Sequence, residues 1–267
     1  MIEERKSRFI EKLRRVDQAA VPPMGFRAGG AAPSVPRILL VVSLESGVAP
    51  RAADIRDADA VLLRPGKSRL SAEAVQKTVG ALKGKPWGAY LEDGDAGTVA
   101  SLAGAGCDFL VMAAAGPVAA APRDGKTGAV LQVESSMDDG LLRAVNSLPV
   151  DAVLVADSFQ GGSLAWHQLM IFQHLANLFI RPLVVSVPAD ITEAELKALW
   201  EAGVDGVVVA AAAAAGAISE LRAMIDKLPA RTARKRGRVE ARLHRPGGES
   251  PMPSPDVEED DDDDDDE

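Results

Sequence analysis

Apolar residues along this chain gather into eight short runs, separated by turn signals and mostly by helix-length segments. The runs are Arg37 to Glu45, Asp59 to Arg64, Trp87 to Glu92, Asp108 to Met112, Ala129 to Glu134, Asp151 to Ala156, Leu183 to Val187 and Asp205 to Val209. They are rich in Val and Leu, the composition of strands buried on both faces and hence of a parallel sheet covered by helices. Eight such strands alternating with helices predict a closed (β/α)8 barrel, the TIM-barrel class of α/β fold, over residues 37–228.

Two kinds of run alternate. The even ones open on Asp (Asp59, Asp108, Asp151 and Asp205), while three of the odd ones follow Pro (Pro36, Pro86 and Pro182). A period of two βα units indicates a pseudo-symmetric barrel built from quarter-like repeats. The four Asp side chains stand at strand starts, the stability face of such barrels, and are expected to tie the bottom of the barrel together.

Both ends differ from this middle. Phe9, Ile10, Leu13 and Val16 form one apolar stripe in an otherwise charged segment, which predicts an amphipathic helix over 3–17, linked to the first strand by the Pro/Gly/Ala stretch up to residue 36. Such a helix plugs the bottom of many barrels. After Pro229 a basic run carrying Arg231, Arg234, Lys235, Arg236, Arg238, Arg242 and Arg245 is followed by an acidic block from Asp256 to Glu267. Like charges in blocks repel and bury no core, so 229–267 is expected to be a disordered tail. The formal net charge of −9 belongs to that tail, because without the block's eleven carboxylates 28 acidic residues face 30 basic ones. No aromatic residues interleave with the basic ones and no nucleic-acid-binding fold is visible, so nucleic acid is not the expected partner.

A single cysteine, Cys107, permits no internal disulfide and indicates a reducing compartment. The charged N-terminus does not look like a secretory leader, and the apolar stretch from Leu164 to Val187 is broken by His167, His174, Asn177, Arg181 and Pro182, so a cytoplasmic protein without a membrane span is expected. Apolar residues of the segment from Ser163 to Ile180 wrap most of a helix circumference. An outer barrel helix needs one stripe only, so either the N-terminal helix or a second copy in a homodimer is expected to cover the surplus.

The segment Ile191 to Val209, ITEAELKALWEAGVDGVVV, resembles the last βαβ unit of the phosphate-binding, aldolase-type TIM barrels. Thr192 with Glu195 makes a capping box for its helix. The resemblance implies a phosphate cup made of backbone amides from a Gly-Gly after strand seven and a Gly-Ser after strand eight. This chain has Pro188-Ala189 and Ala210-Ala211 there, so the motif is degenerate; proline lacks the amide hydrogen and alanine blocks close approach. Gly216 is a further candidate for opening a helix toward an anion.

Aligning the odd strands at their C-terminal ends gives Ser43-Leu44-Glu45, Tyr90-Leu91-Glu92, Gln132-Val133-Glu134 and Ser186-Val187-Pro188. Barrel enzymes keep their chemistry at this rim, so Glu92 and Glu134, joined by Asp157 and with Glu45 at the same position, are candidate acid/base or metal residues. In a second arrangement Ser43, Tyr90, Gln132 and Ser186 line the barrel as a ligand-binding layer and the glutamates turn outward to helix N-termini. Arg64, with Lys67 beyond it, is the candidate clamp for an anionic substrate. The absence of a strand-end lysine disfavours Schiff-base chemistry, and the seven-residue spacing of His167 and His174 is not that of a helical metal pair. Two functions therefore remain open: a lyase, isomerase or aldolase-like enzyme acting on an anionic metabolite, and a non-catalytic barrel that binds or scaffolds through its charged tail. Cofactor and metal stay unassigned.

Overall fold

A computed structural model describes residues 7–18, 37–46, 51–66, 72–82, 84–122, 124–156, 163–211 and 216–229. The charged tail, including the separate unit Arg238–Glu267, lies outside the described residues, as do Lys67 and Asp157.

Eight parallel strands close on themselves in chain order: β1 (Leu39–Glu45), β2 (Ala60–Arg64), β3 (Trp87–Leu91), β4 (Phe109–Ala113), β5 (Gly128–Val133), β6 (Ala152–Val155), β7 (Leu183–Ser186) and β8 (Gly206–Ala210). Each lies within one or two residues of its predicted run. Following paired residues once round the barrel, the register slips by two residues within each of β1, β2, β5 and β6, which gives the eight-residue stagger of a TIM barrel. Seven helices follow strands: α2 (Ala52–Asp57), α3 (Ala72–Ala81), α4 (Ala96–Gly104), α5 (Asp139–Ala144), α6 (Trp166–Leu178), α7 (Glu193–Ala202) and α8 (Ala217–Lys227). Between β4 and β5 only a 3-10 turn, Val118–Ala120, appears among the described residues.

The alternating Asp and Pro positions have a structural cause. Leu40 donates its N–H to Asp59 Oδ2 and accepts the Asp59 N–H, at 3.0 and 2.8 Å. Ala129 with Asp151, and Leu183 with Asp205, repeat this reciprocal clasp, each joining the start of an odd strand to the even strand after it. Proline suits the position before an odd strand because only its carbonyl is used: Pro86 O accepts from Val61 N and Pro182 O from Val153 N.

The fourth carboxylate has a different task. Asp108 accepts from Ser7 Oγ, Arg8 N and Phe9 N at 2.8 to 2.9 Å, and so caps the first turn of α1 (Arg8–Gln18). That helix plugs the bottom of the barrel, as the amphipathic stripe implies. Phe9, Ile10, Leu13 and Val16 are buried among the inward-facing residues of the strands, and Phe9 stacks on Phe109 with ring centroids 4.2 Å apart. The seat is shaped by small residues: a Cβ on Gly128 would lie 2.4 Å from Ile10 Cγ1. Arg14 completes the attachment with an ion pair to Asp151 at 2.6 Å.

Candidate functional site at the C-terminal mouth

Alternation on each strand sorts side chains into an inward and an outward set, and the register stacks the inward set in layers. Leu62, Val111, Leu154 and Val208 make an apolar floor. Beneath it, down to Phe9, the barrel is filled except for a void of about 10 Å3 lined by apolar groups, no more than one water's worth of space and without polar partners for one. Inside the barrel, below the floor, this void is too small to hold a ligand.

The layer above the floor consists of Ser43, Tyr90, Gln132 and Ser186. The four odd-strand residues singled out in the sequence are thus brought together on one level, all half-buried. The next layer, from the even strands, holds Arg64, Ala113, Ala156 and Ala210, one long side chain and three methyl groups, so the strands themselves place little side-chain volume on that level. These alanines were missed in the sequence, although aligning the even strands as the odd ones were aligned would have displayed them.

Glu45, Glu92 and Glu134 follow one level higher and are exposed. The arrangement that turns the glutamates outward while Ser43, Tyr90 and Gln132 face inward is corrected by simple geometry: each glutamate lies two residues beyond its partner, and residues two apart share a face. The glutamates therefore top the same wall as the polar layer. Among the described residues no three His, Cys, Asp or Glu side chains come together as a metal site, and Asp157 lies outside those residues.

Within the mouth, the Arg64 guanidinium carbon stands 5.4 Å from the centre of the Tyr90 ring, a cation–π contact. Arg64 makes no ion pair with Glu45, Glu92 or Glu134, nor with any other described residue. Burial raises the Tyr90 phenol above its ordinary value, reinforced by the charge of Glu92 and opposed by Arg64 and by a hydrogen bond from Gln132. Tyr90 is therefore a neutral hydrogen-bonding group at physiological pH. Arg64 Nε, Gln132 Oε1 and Ser186 Oγ are shielded from solvent and have no hydrogen-bond partner among the described residues. Each such orphan costs roughly 1–3 kcal/mol until it is paired.

The β7/β8 side of the rim differs. Pro188 offers no amide, and the Ala211 N–H is already spent on Ser43 O at 2.9 Å. Gly216 does open α8, with φ +94°. The α7 part of the resemblance is intact: Thr192 and Glu195 form the expected capping box, and Gly203 ends the helix with φ +100°. On the outer surface, His174 pairs with Asp139 at 2.9 Å. Trp166, Met170 and Ile180 remain exposed, at 82, 66 and 61%. Since α1 is seated in the barrel bottom, it is not the cover for this face.

Fold and strand order together define an α/β TIM barrel. Solved structures agree on the fold: a mutant tryptophan synthase α-subunit from Pyrococcus furiosus superposes with a TM-score of 0.56 at 14% identity, covering 71% of this chain and 97% of that one. Ligand-free tryptophan synthase from M. tuberculosis gives 0.53 at 16% identity, over 70% of this chain and 90% of that one. At such identities the likeness concerns the fold alone. No protein-family model matches the chain, and no curated protein does. No helix among the described residues is long and apolar enough to cross a membrane.

Proposed function

We propose that this protein is a small-molecule enzyme of the lyase, isomerase or aldolase-like kind, acting on an anionic metabolite bound in the C-terminal mouth. The observation that carries this reading is the set of buried, unpaired polar atoms on Arg64, Gln132 and Ser186, gathered where the other three even-strand side chains are alanines. Folded proteins pair their buried polar groups, and exceptions concentrate where a ligand completes the pairing. Arg64 is the anion clamp. It takes over from the β7/β8 amides that this chain lacks, and it lies on the β2 side of the rim. Ser43, Tyr90, Gln132 and Ser186 orient the rest of the molecule, while Glu92 and Glu134, with Asp157, supply acid–base chemistry from the rim. No metal enters this reading. A reducing, cytoplasmic setting suits the buried Cys107, and a second copy of the chain is the proposed cover for the exposed face of α6.

The test is calorimetric titration of inorganic phosphate and short mono- and dicarboxylates into the full chain and into Arg64→Gln. Saturable binding of at least one anion by the wild type, weakened tenfold or more in the variant while its melting temperature is kept, is expected. Absence of binding, or equal binding by both proteins, refutes the proposal.

A further inference from the structure

The mouth carries charge of both signs at different depths, and the two are not joined to each other. Arg64 lies deeper, folded onto Tyr90, and has no ion-pair partner among the described residues. Glu45, Glu92 and Glu134 ring the opening above it on three odd strands, each two residues beyond a member of the polar layer. Arg64 and Glu45 are register partners on adjacent strands, yet no salt bridge forms between them. Glu92 is close enough for its charge to act on Tyr90.

A ligand carrying only negative charge meets one favourable cation and a ring of three carboxylates. A ligand carrying only positive charge meets the carboxylates but leaves Arg64 unanswered. The arrangement is complementary to a molecule negative at its inner end and positive at its outer end. We infer that the mouth binds a zwitterionic amino carboxylate, its carboxylate against Arg64 and Ser186 and its ammonium at the rim beside Glu92 or Glu134.

The polar layer fits such a guest. Arg64 and the Ser186 hydroxyl supply donors for the carboxylate. The Gln132 Oε1, an acceptor without a partner, suits an N–H or O–H on the body of the ligand. Depth sets the length: the glutamates stand one level above Arg64 and two residues along a strand, or about 6.6–6.8 Å, above the level of Ser186, so the two charges of the ligand should be separated by roughly 4–7 Å. That separation favours an ω-amino carboxylate with several methylenes over an α-amino acid. The apolar floor of Leu62, Val111, Leu154 and Val208 closes the site below the polar layer.

This inference rests on the reading of the mouth as an anion-binding site, and its test separates the two. Three matched series of two to six carbons are titrated calorimetrically at low ionic strength: ω-amino carboxylates, n-alkyl carboxylates and n-alkylamines. The proteins are the full-length wild type, Arg64→Gln, and the double variant Glu92→Gln/Glu134→Gln, whose altered side chains are exposed. For the wild type, the best ω-amino carboxylate is expected to bind at least tenfold more tightly than the carboxylate of equal length, with alkylamines weakest. The double Gln variant should lose that tenfold advantage yet still bind the simple carboxylate, whereas Arg64→Gln should lose both. Equal affinity for amino and simple carboxylates overturns the zwitterion inference and leaves the anion site standing. Binding of none of the three series by the wild type overturns the zwitterion inference, and the anion site is overturned as well when phosphate and dicarboxylates also fail to bind.

Discussion

Replacing Gly88 by Ala should destabilise the barrel although it adds a single methyl group. A Cβ at Gly88 would lie 2.4, 2.5 and 2.6 Å from Cε2, Cδ2 and Cζ of Phe109, against the 3.4–4 Å of ordinary contact. The Phe109 ring has to retreat by about 1 Å. It is 1% exposed and stacked on Phe9, itself 2% exposed, so the displacement passes into α1. Overpacking of a well-filled core costs about 1–3 kcal/mol, and an aromatic ring backed by a second ring places this site near 2–3. Phe109→Leu alone should cost about 1–2 kcal/mol through lost volume. In Gly88→Ala/Phe109→Leu the added methyl occupies space the ring has left, so the double variant should be no less stable than Phe109→Leu, a favourable coupling of about 2 kcal/mol. Gly80 provides the control: it stands in α3, where an added methyl would meet nothing within 4 Å, and Ala there should stabilise by about 0.5–1 kcal/mol. Urea unfolding followed by far-UV circular dichroism, with slopes compared to confirm two-state behaviour, measures the four variants against the wild type. A Gly88→Ala variant as stable as the wild type, or strictly additive costs in the double variant, would refute the layer geometry.

Three further outcomes are expected. Asp108→Ala should cost about 2–3 kcal/mol, because three donors of Ser7, Arg8 and Phe9 lose a charged acceptor, and hydrogen exchange should show α1 losing protection before the barrel does. Glu195 is held below its ordinary value by hydrogen bonds from Thr192 and Leu164. Its contribution is therefore complete above about pH 4.3 and is lost as pH falls through the depressed folded value; Glu195→Gln should lessen the acid sensitivity of the melting temperature, and an unchanged acid limb would contradict this. Burial pushes the Cys107 thiol up to about 12, so iodoacetamide at pH 8 should leave the native protein unmodified and label it fully in denaturant; rapid native labelling would show that the site opens.

The architecture was readable because each strand is a self-contained apolar run with its own punctuation, and the periodic Asp and Pro residues mark strand starts that share one clasp. The polar layer was readable for the same reason, since equivalent positions on odd strands become neighbours once the barrel closes. What the runs did not reveal was the relative height of residues on different strands. That height depends on the stagger, a property of closure and not of any single segment. Arg64 is therefore visible in the sequence as a rim cation, and aligning the even strands shows Ala113, Ala156 and Ala210 at the equivalent position, whereas the seat of Arg64 over Tyr90 and the height of that level emerge only from the register. The fate of Asp108 was equally hidden: it has the sequence setting of its three counterparts, but its carboxylate is turned to α1 by the arrival of Ser7 roughly one hundred residues away in the chain.

The plug has a consequence for the order of assembly. Helix α1, which precedes the strands in the chain, docks on a seat that does not yet exist when it emerges, since it needs Asp108 and Phe109 of the fourth strand region, Asp151 at the sixth strand and the space beside Gly206 at the eighth. Until then Phe9, Ile10, Leu13 and Val16 form an amphipathic segment with its apolar stripe turned to water, the kind of surface that attracts chaperones or other nascent chains. Docking of α1 thus reports that the ring of strands is complete, and truncated products lacking the last strands would carry that sticky stripe permanently.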